Sequence, residues 1–260
     1  MTDELYLPDQ GDGSYRNPVL CCDYSDPDVI RVGDTYYMTA SSFNYVPGLP
    51  ILTSADLVNW RLVNYALPNI PEPGYEIPRH ACGVWAPAIR WHDGFFYIYY
   101  GMPDEGIYMV RAADACGQWD APKLVRAGKG LIDPCPFWDD DGRAYVIHAY
   151  ANSRIGFKSR IGIFPMSADG THAIGEDKFL FDGTANHPTI EGPKVYKRDG
   201  WYYIFAPAGG VATGWQTVLR SRRIDGEYED RIVLRQGNSR VNGPHQGAWV
   251  TAADGSDWFI

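Results

Sequence analysis

One short phrase recurs along this 260-residue chain: an apolar run, a turn that contains Asp and Gly, and a run rich in Tyr, Phe and Trp. A tight turn needs a residue with positive φ, which Gly and Asp supply, so each copy predicts a β-hairpin. The copies begin about 50–60 residues apart, which is the period of a four-stranded propeller blade. The copies are Asp28–Ala40, Ala88–Tyr100, Pro136–Ala149, Lys194–Ala206 and Trp249–Ile260.

The regular period predicts an all-β protein with the architecture of a five-bladed β-propeller. The fifth copy stops at Ile260 after its second strand, so the fifth blade is predicted to be incomplete at the C-terminus. We expect residues 1–260 to form a single domain, a fragment of a longer protein. The N-terminal segment or self-association with a partner copy would complete the last blade. The alternative is a β-sandwich made of several similar hairpins.

Charge and composition narrow the choice of partners. The net charge of -9 disfavours nucleic acid and anionic membrane surfaces, which require a basic footprint. A small neutral oligosaccharide is compatible with this charge. The first residues are polar and no stretch approaches the ~20 apolar residues of a membrane span, so we expect a cytoplasmic protein. The odd number of cysteines, five, predicts reduced and mostly buried thiols.

Three carboxylates stand at matching positions of different repeats: Asp26 in YSDPDVI, Asp133 in LIDPCPF and Glu191 in TIEGPKVY. Proline follows each of them directly or after one residue, where the first strand of a blade begins. The first strands of propeller blades surround a central channel. The matching positions therefore predict that the three acids meet at one end of that channel.

Three acids around one pocket fit the hydrolysis of a glycosidic bond with inversion, which needs one carboxylate to activate water and one carboxylic acid to protonate the leaving oxygen. We assign Asp26 as general base and Glu191 as general acid, because the longer side chain reaches the leaving group. Asp133 is then the modulator that raises the pKa of the acid by like-charge repulsion. The alternative for each single acid is a structural role, since Asp-Pro is a common turn element.

Several segments of the chain resemble family 43 of the glycoside hydrolases. The resemblance runs in order through NPVLCCDYSDPDVIRVGDTYYMTASSF, ILTSADLVNW, GVWAPAIRWHDGFFYIYY, IDPCPFWDDDGRAYVIHAY, IEGPKVYKRDGWYYIF and GPHQGAWV. It implies a catalytic five-bladed propeller that inverts configuration, with Asp26 as base, Glu191 as acid and Asp133 as pKa modulator. It also implies a C-terminal β-sandwich beyond this chain, as in many relatives.

The resemblance extends to further residues around the acids. Phe43 and Trp85 match aromatic rings that line the sugar subsite, and His80 and Arg154 are candidate polar contacts to the sugar. His245, in GPHQG, resembles a histidine that contacts a central calcium or its water shell. The prediction is therefore a structural calcium near His245, with no cofactor required for the chemistry.

The segments SSFNYVPGLPI and SADLVNW resemble the β-xylosidase branch of the family more than its endo-arabinanase branch. The predicted function is accordingly an inverting exo-glycoside hydrolase, a β-xylosidase that releases xylose from xylo-oligosaccharides. An α-L-arabinofuranosidase acting on arabinoxylan or arabinan fragments is the alternative within the same chemistry. A propeller that binds sugars without hydrolysis is the alternative of another class, and a retaining sucrose-type hydrolase is a third.

Overall fold

The computed structural model describes residues 6–241 and 243–260, in which five antiparallel sheets follow one another along the chain. Each sheet is built from strands that are consecutive in sequence. Blades one and two contain β1 Asp28–Val32, β2 Thr35–Thr39, β3 Gly48–Ser54, β4 Arg61–Leu67, β5 Trp85–His92, β6 Phe95–Met102, β7 Gly106–Ala112 and β8 Lys123–Ala127. Blades three to five contain β9 Leu131–Trp138, β10 Ala144–Tyr150, the short helix α1 Asn152–Ile155, β11 Arg160–Met166, β12 Lys178–Asp182, β13 Lys194–Arg198, β14 Trp201–Ala208, β15 Trp215–Ser221, β16 Glu229–Leu234, β17 Trp249–Thr251 and β18 Asp257–Phe259.

The five recurring phrases all form hairpins between the first two strands of a sheet. At the β5–β6 turn, Asp93 has φ 46° and Gly94 has φ 81°. Asp199 and Gly200 repeat this at the β13–β14 turn, with φ 52° and 71°. Two consecutive positive φ values match the twist of an antiparallel pair, so the turn chemistry predicted from the sequence is confirmed.

The first strands of the five sheets surround a common axis. A cavity of about 700 Å³ at one end of this axis is lined by residues of β1, β5, β9, β13 and β17. Strand β1 contacts both β5 and β17, which closes the ring between blades one and five. The predicted five-bladed propeller is therefore confirmed, and the β-sandwich alternative is wrong because the sheets are arranged radially.

Buried apolar clusters lie between neighbouring blades and hold the ring together. One cluster joins blades one and two, a second joins two and three, and a third joins three and four. A fourth cluster joins blade five to blade one through Val250, Val29 and Met38. Burial of apolar surface at these four blade interfaces is the main stabilising contribution in such a fold.

The fifth sheet contains two strands among the described residues, β17 and β18, in agreement with the predicted incomplete blade. The N-terminal segment reaches this sheet, since the rings of Tyr15 and Trp258 lie 5.8 Å apart. Within the described residues it packs against the blade and adds no strand to it.

All five cysteines are free thiols, as predicted. The expectation that most are buried is wrong: only Cys135 is buried, and Cys21, Cys22 and Cys116 are exposed. Cys21 and Cys22 lie in the segment before β1 and Cys116 lies in the loop between β7 and β8, and loop positions of this kind are usually on the surface. In the described residues, no helix has the length and apolar character that crossing a membrane requires.

Candidate active site

In three blades, a residue followed by proline lies just before the first strand or at a bulge within it. Register shifts in the β5–β6 and β9–β10 pairings mark a bulge at Ala86–Pro87 and at Asp133–Pro134. Asp26–Pro27 precedes β1 in blade one. Bulges re-aim side chains next to active sites. Blade two therefore carries a methyl group at the position where blade three carries a carboxylate.

Asp26 and Asp133 share an uncommon backbone conformation, with φ 54° and 55°. Positive φ is disfavoured for residues with a Cβ, and Asp is among the few that tolerate it. Such conformations persist only where the surrounding structure enforces them, and they cluster at functional sites. The two aspartates are thus held in matching, enforced conformations on different blades.

A cavity of about 190 Å³ lies at the opposite end of the axis from the 700 Å³ cavity, with acids from three blades in its wall. This volume equals that of roughly six water molecules and is below the usual range of sites for larger ligands. It suits one small ring. The lining residues are Asp26, Phe43, Trp85, Ala86, Ile132, Asp133, Glu191, Val211, His245 and Gln246.

Asp26 is held by one hydrogen bond at the wall of this cavity. The Ser41 hydroxyl donates to Asp26 Oδ2 at 2.6 Å. Burial raises the pKa of Asp26, while the Ser41 hydrogen bond and the charges of Lys194 and His245 oppose that rise. One carboxylate oxygen is thus anchored, and the other has no side-chain partner among the described residues.

Asp133 is the most deeply buried of the three acids, with 4% of its surface exposed. The backbone N–H of Gly192 donates to its Oδ2 at 2.8 Å, which ties it to the segment that carries Glu191. Burial raises the pKa of Asp133 to about 8, and the nearby Glu191 and Asp26 add to the rise. Asp133 therefore retains a proton near neutral pH. The raised pKa thus belongs to the residue assigned as modulator, and its predicted effect on Glu191 stays a prediction.

Glu191 is less buried, with 24% of its side chain exposed at the cavity. Its Oε1 lies 3.0 Å from Nε2 of His245, and its backbone N–H donates to the Pro207 carbonyl. The other ring nitrogen of His245, Nδ1, is buried and has no hydrogen-bond partner in the part of the chain that the structure describes. His245 thus contacts the carboxyl group that was assigned as general acid.

The side chains around His245 do not fit a directly coordinated calcium ion. Calcium takes six to eight oxygen ligands, whereas His245 offers nitrogen, and its Nε2 already contacts Glu191. Within residues 6–241 and 243–260, no three His, Cys, Asp or Glu side chains are grouped so that they could hold a metal ion. The predicted calcium stays a prediction.

Two aromatic rings form the apolar wall of the cavity. Phe43 and Trp85 meet edge to face with centroids 6.0 Å apart, and Trp85 Nε1 donates to the Ala81 carbonyl. Both rings line the cavity that contains the three acids, and their assignment to a sugar subsite stays a prediction. Apolar ring faces of this kind suit the C–H faces of a sugar.

Two of the predicted polar contacts lie outside the cavity lining. His80 is exposed in the loop before β5. Arg154, in α1, pairs with Asp104 at 3.2 Å, and its guanidinium carbon lies 5.4 Å from the ring centroid of Trp85. Arg154 therefore supports the aromatic wall, which a local sequence pattern does not reveal because the contact joins different blades.

Three residues of the site were missed at the level of sequence: Ser41, Lys194 and Gln246. Ser41 lies 15 positions from Asp26, so only the β1–β2 pairing brings them together. Gln246 lines the cavity, and its buried Nε2 has no partner among the described residues. It has φ 64°, and its place directly after His245 and shortly before the fifth repeat was an available signal.

Comparison with known proteins agrees with this geometry. A relative from Xylanibacter ruminicola is 50% identical over 252 residues, which are 96% of this chain and 46% of the relative. A non-reducing-end α-L-arabinofuranosidase of Bacteroides ovatus is 33% identical, covering 85% of this chain and 41% of that protein. The crystal structure of xylan β-1,4-xylosidase from Bacillus halodurans superposes with a TM-score of 0.80 at 29% identity, over 94% of this chain and 49% of that one.

The chain spans about half the length of the curated relatives it matches. The sequence profile of the family described as Glycosyl hydrolases family 43 matches residues 15–260, which include all three acids. The predicted resemblance is confirmed: this chain belongs to family 43 of the glycosyl hydrolases.

Proposed function

We propose that this propeller is an inverting exo-glycoside hydrolase that releases xylose from the end of xylo-oligosaccharides. The observation that carries the proposal is the 190 Å³ cavity in which Asp26, Asp133 and Glu191 meet beside two aromatic rings. A cavity of one-ring size favours removal of single terminal sugars over cleavage within a long chain. The name of the Bacillus halodurans structure supports xylose as that sugar.

In the proposed mechanism Asp26 removes a proton from the attacking water. The Ser41 hydrogen bond stabilises the charged form of Asp26 against the effect of burial, as a general base requires. Its other oxygen can accept the hydrogen bond from that water. General bases of this kind contribute about 10²–10⁴-fold to the rate.

Glu191 protonates the leaving oxygen of the glycosidic bond. A bound sugar covers the exposed part of the Glu191 side chain and excludes water from the proton transfer. Asp133 competes with Glu191 for protons through their mutual repulsion, so the pair keeps a proton through neutral pH. His245 holds the Glu191 carboxyl in place.

The test compares two substrates and two variants. Asp26→Asn should lower kcat by about 10³-fold or more on both xylobiose and 4-nitrophenyl β-xyloside, because both need activated water. Glu191→Gln should lower kcat strongly on xylobiose and much less on the nitrophenyl substrate, whose leaving group needs little protonation. Rates within twofold of wild type in both variants would remove these residues from catalysis.

An α-L-arabinofuranosidase is the second candidate, and the Bacteroides ovatus relative favours it by its name. Both activities use the same acids, so the pocket shape decides between them. Parallel assays with 4-nitrophenyl β-xyloside and 4-nitrophenyl α-L-arabinofuranoside give the ratio of kcat/KM directly. Binding of xylobiose without any release of xylose would instead favour the non-hydrolytic alternative.

Other predictions from the sequence stay predictions. They are the C-terminal β-sandwich, self-association through the fifth blade, and the cytoplasmic location. Strand β18 pairs with β17 alone among the described residues, and a free strand edge is a site where another strand can add. This edge supports the proposal that a further strand completes the blade.

A further inference from the structure

Lys194 is a fully buried lysine on the axis of the propeller. It begins β13, three residues after Glu191, and 0% of its surface is exposed. Its Nζ donates to the Pro87 carbonyl at 3.0 Å. No carboxylate among the described residues forms an ion pair with it. A buried charge without such a partner is costly, so its retention calls for a function.

Lys194 lies between the two cavities on the axis of the propeller. Glu191 lines the smaller cavity, while the next residue after Lys194, Val195, lines the larger one. Its hydrogen-bond partner, Pro87, belongs to the bulge at which blade two carries Ala86 in place of an acid. Blade two thus contributes the carbonyl group that anchors a cation behind the acids.

Lys194 is the buried cation that can serve as the counterion of the three acids. The other buried cation, Arg90, is already paired with Asp28 at 2.6 Å. The charge of Lys194 lowers the pKa of both Asp26 and Asp133 against the effect of burial. The positive charge of Lys194 thus offsets the negative charge that Asp26 carries when it acts as a base.

We propose that the buried ammonium of Lys194 is the axial cation of this propeller, a positioning residue that keeps Asp26 ionised in place of a metal ion. The inference rests on the proposed function of Asp26 as base. It also accounts for the poor fit of the residues around His245 to calcium, because an ammonium behind the acids already supplies positive charge. Lys194 does not touch the reacting atoms and acts through Asp26.

The first test measures the titration of Asp26 directly, without any assay of activity. Protein with ¹³C-labelled Asp carboxyl groups is titrated by NMR, and Asp26→Asn assigns the signal. In Lys194→Met the midpoint of Asp26 should rise by about one pH unit, because a positive charge is removed from a poorly solvated site. Lys194→Arg should keep the wild-type midpoint, and Lys123→Met, at an exposed position of β8, is the matched control.

The same variants are then compared on 4-nitrophenyl β-xyloside. Four residues affect the pKa of Asp26: Ser41, Lys194, His245 and Glu191. The informative result is therefore a shift of the pH profile in Lys194→Met that Lys194→Arg and Lys123→Met do not show. The acidic limb of kcat/KM should move up by the same pH unit, which is about a tenfold loss below that limb. If no variant hydrolyses the substrate, the proposed function fails while the NMR titration still decides the role of Lys194.

A second test uses only the wild-type protein, so it does not depend on the folding of a variant: calcium is removed and then added back. Wild-type protein treated with EDTA should keep its thermal midpoint and its Asp26 titration, and calcium added to 1 mM concentration (on the order of extracellular calcium sites) should change neither. An unchanged Asp26 midpoint in Lys194→Met would overturn the proposal. Stoichiometric calcium binding that shifts the wild-type midpoint would overturn it as well.

Discussion

Asp133 differs from Asp26 and Glu191 in how completely it is removed from water, and this decides what the residue can do. Its burial raises its pKa to about 8, and Gly192 holds it through a backbone hydrogen bond. A carboxyl group that stays protonated at neutral pH adds no fixed negative charge. It instead competes with Glu191 for protons, so the two carboxyls titrate as a unit.

Replacing Asp133 by Asn should therefore change the pH dependence of catalysis. Asn has no titrating group, so the proton that Asp133 retains up to about pH 8 is no longer held in the site. We expect the basic limb of kcat/KM to move to lower pH, with a loss of about 10–100-fold at pH 7. A basic limb that stays in place would contradict the coupling of Asp133 and Glu191.

The same variant should stabilise the fold above neutral pH. The folded-state pKa of Asp133 lies above the ordinary aspartate value of 3.8, so the folded protein binds more protons than the unfolded chain between the two values. The stability contributed by this group is thus lost as pH rises from about 4 to 8. Asn does not titrate, so the thermal midpoint of Asp133→Asn should exceed that of wild type by about 3–8 °C at pH 8 and by less at pH 5.

At the scale of elements, the hairpins were predictable and the bulges were not. Asp-Gly turns between aromatic runs carry a local signal that needs no knowledge of the partner blades. The bulge at Ala86–Pro87 is visible only from the register of β5 against β6. For this reason the sequence indicated where acids meet, but it did not reveal that blade two contributes a methyl group and a carbonyl.

Trp249, in the first strand of blade five, connects this blade to blade four. Its backbone N–H donates to the Tyr196 hydroxyl at 2.9 Å, and its ring packs against Tyr196 and Phe205. Trp249→Ala should cost about 2 kcal/mol, less than for a fully buried Trp, and lower the thermal midpoint by about 4–8 °C.

The substitution should also lower activity, because Trp249 follows the segment that places His245 and Gln246 in the cavity. Trp91→Ala is the control, since Trp91 is 42% exposed on β5 and lies away from the acids. Equal losses of activity in both variants would argue against a specific role for blade five. Thermal unfolding and kcat/KM on 4-nitrophenyl β-xyloside measure the two effects.

At the scale of the whole molecule, the repeat period predicted the ring of five blades. The ring in turn explains why the three acids meet in one cavity. Asp26, Asp133 and Glu191 are separated by more than 50 residues from one another and meet because each opens a blade. The supporting contacts could not be predicted in this way. Ser41, Arg154 and Lys194 act through partners on other strands or blades, and no local pattern records such pairings.

The account places a base and an acid on opposite sides of one sugar ring, and stereochemistry tests this most directly. ¹H NMR spectra recorded during the first minutes of xylobiose hydrolysis identify the anomer of xylose before mutarotation mixes the two forms. Inversion of a β-linked substrate predicts that α-xylose appears first, with no signal from Asp26→Asn protein. First appearance of β-xylose, or xylose released equally fast by the Asp26→Asn protein, would contradict the account.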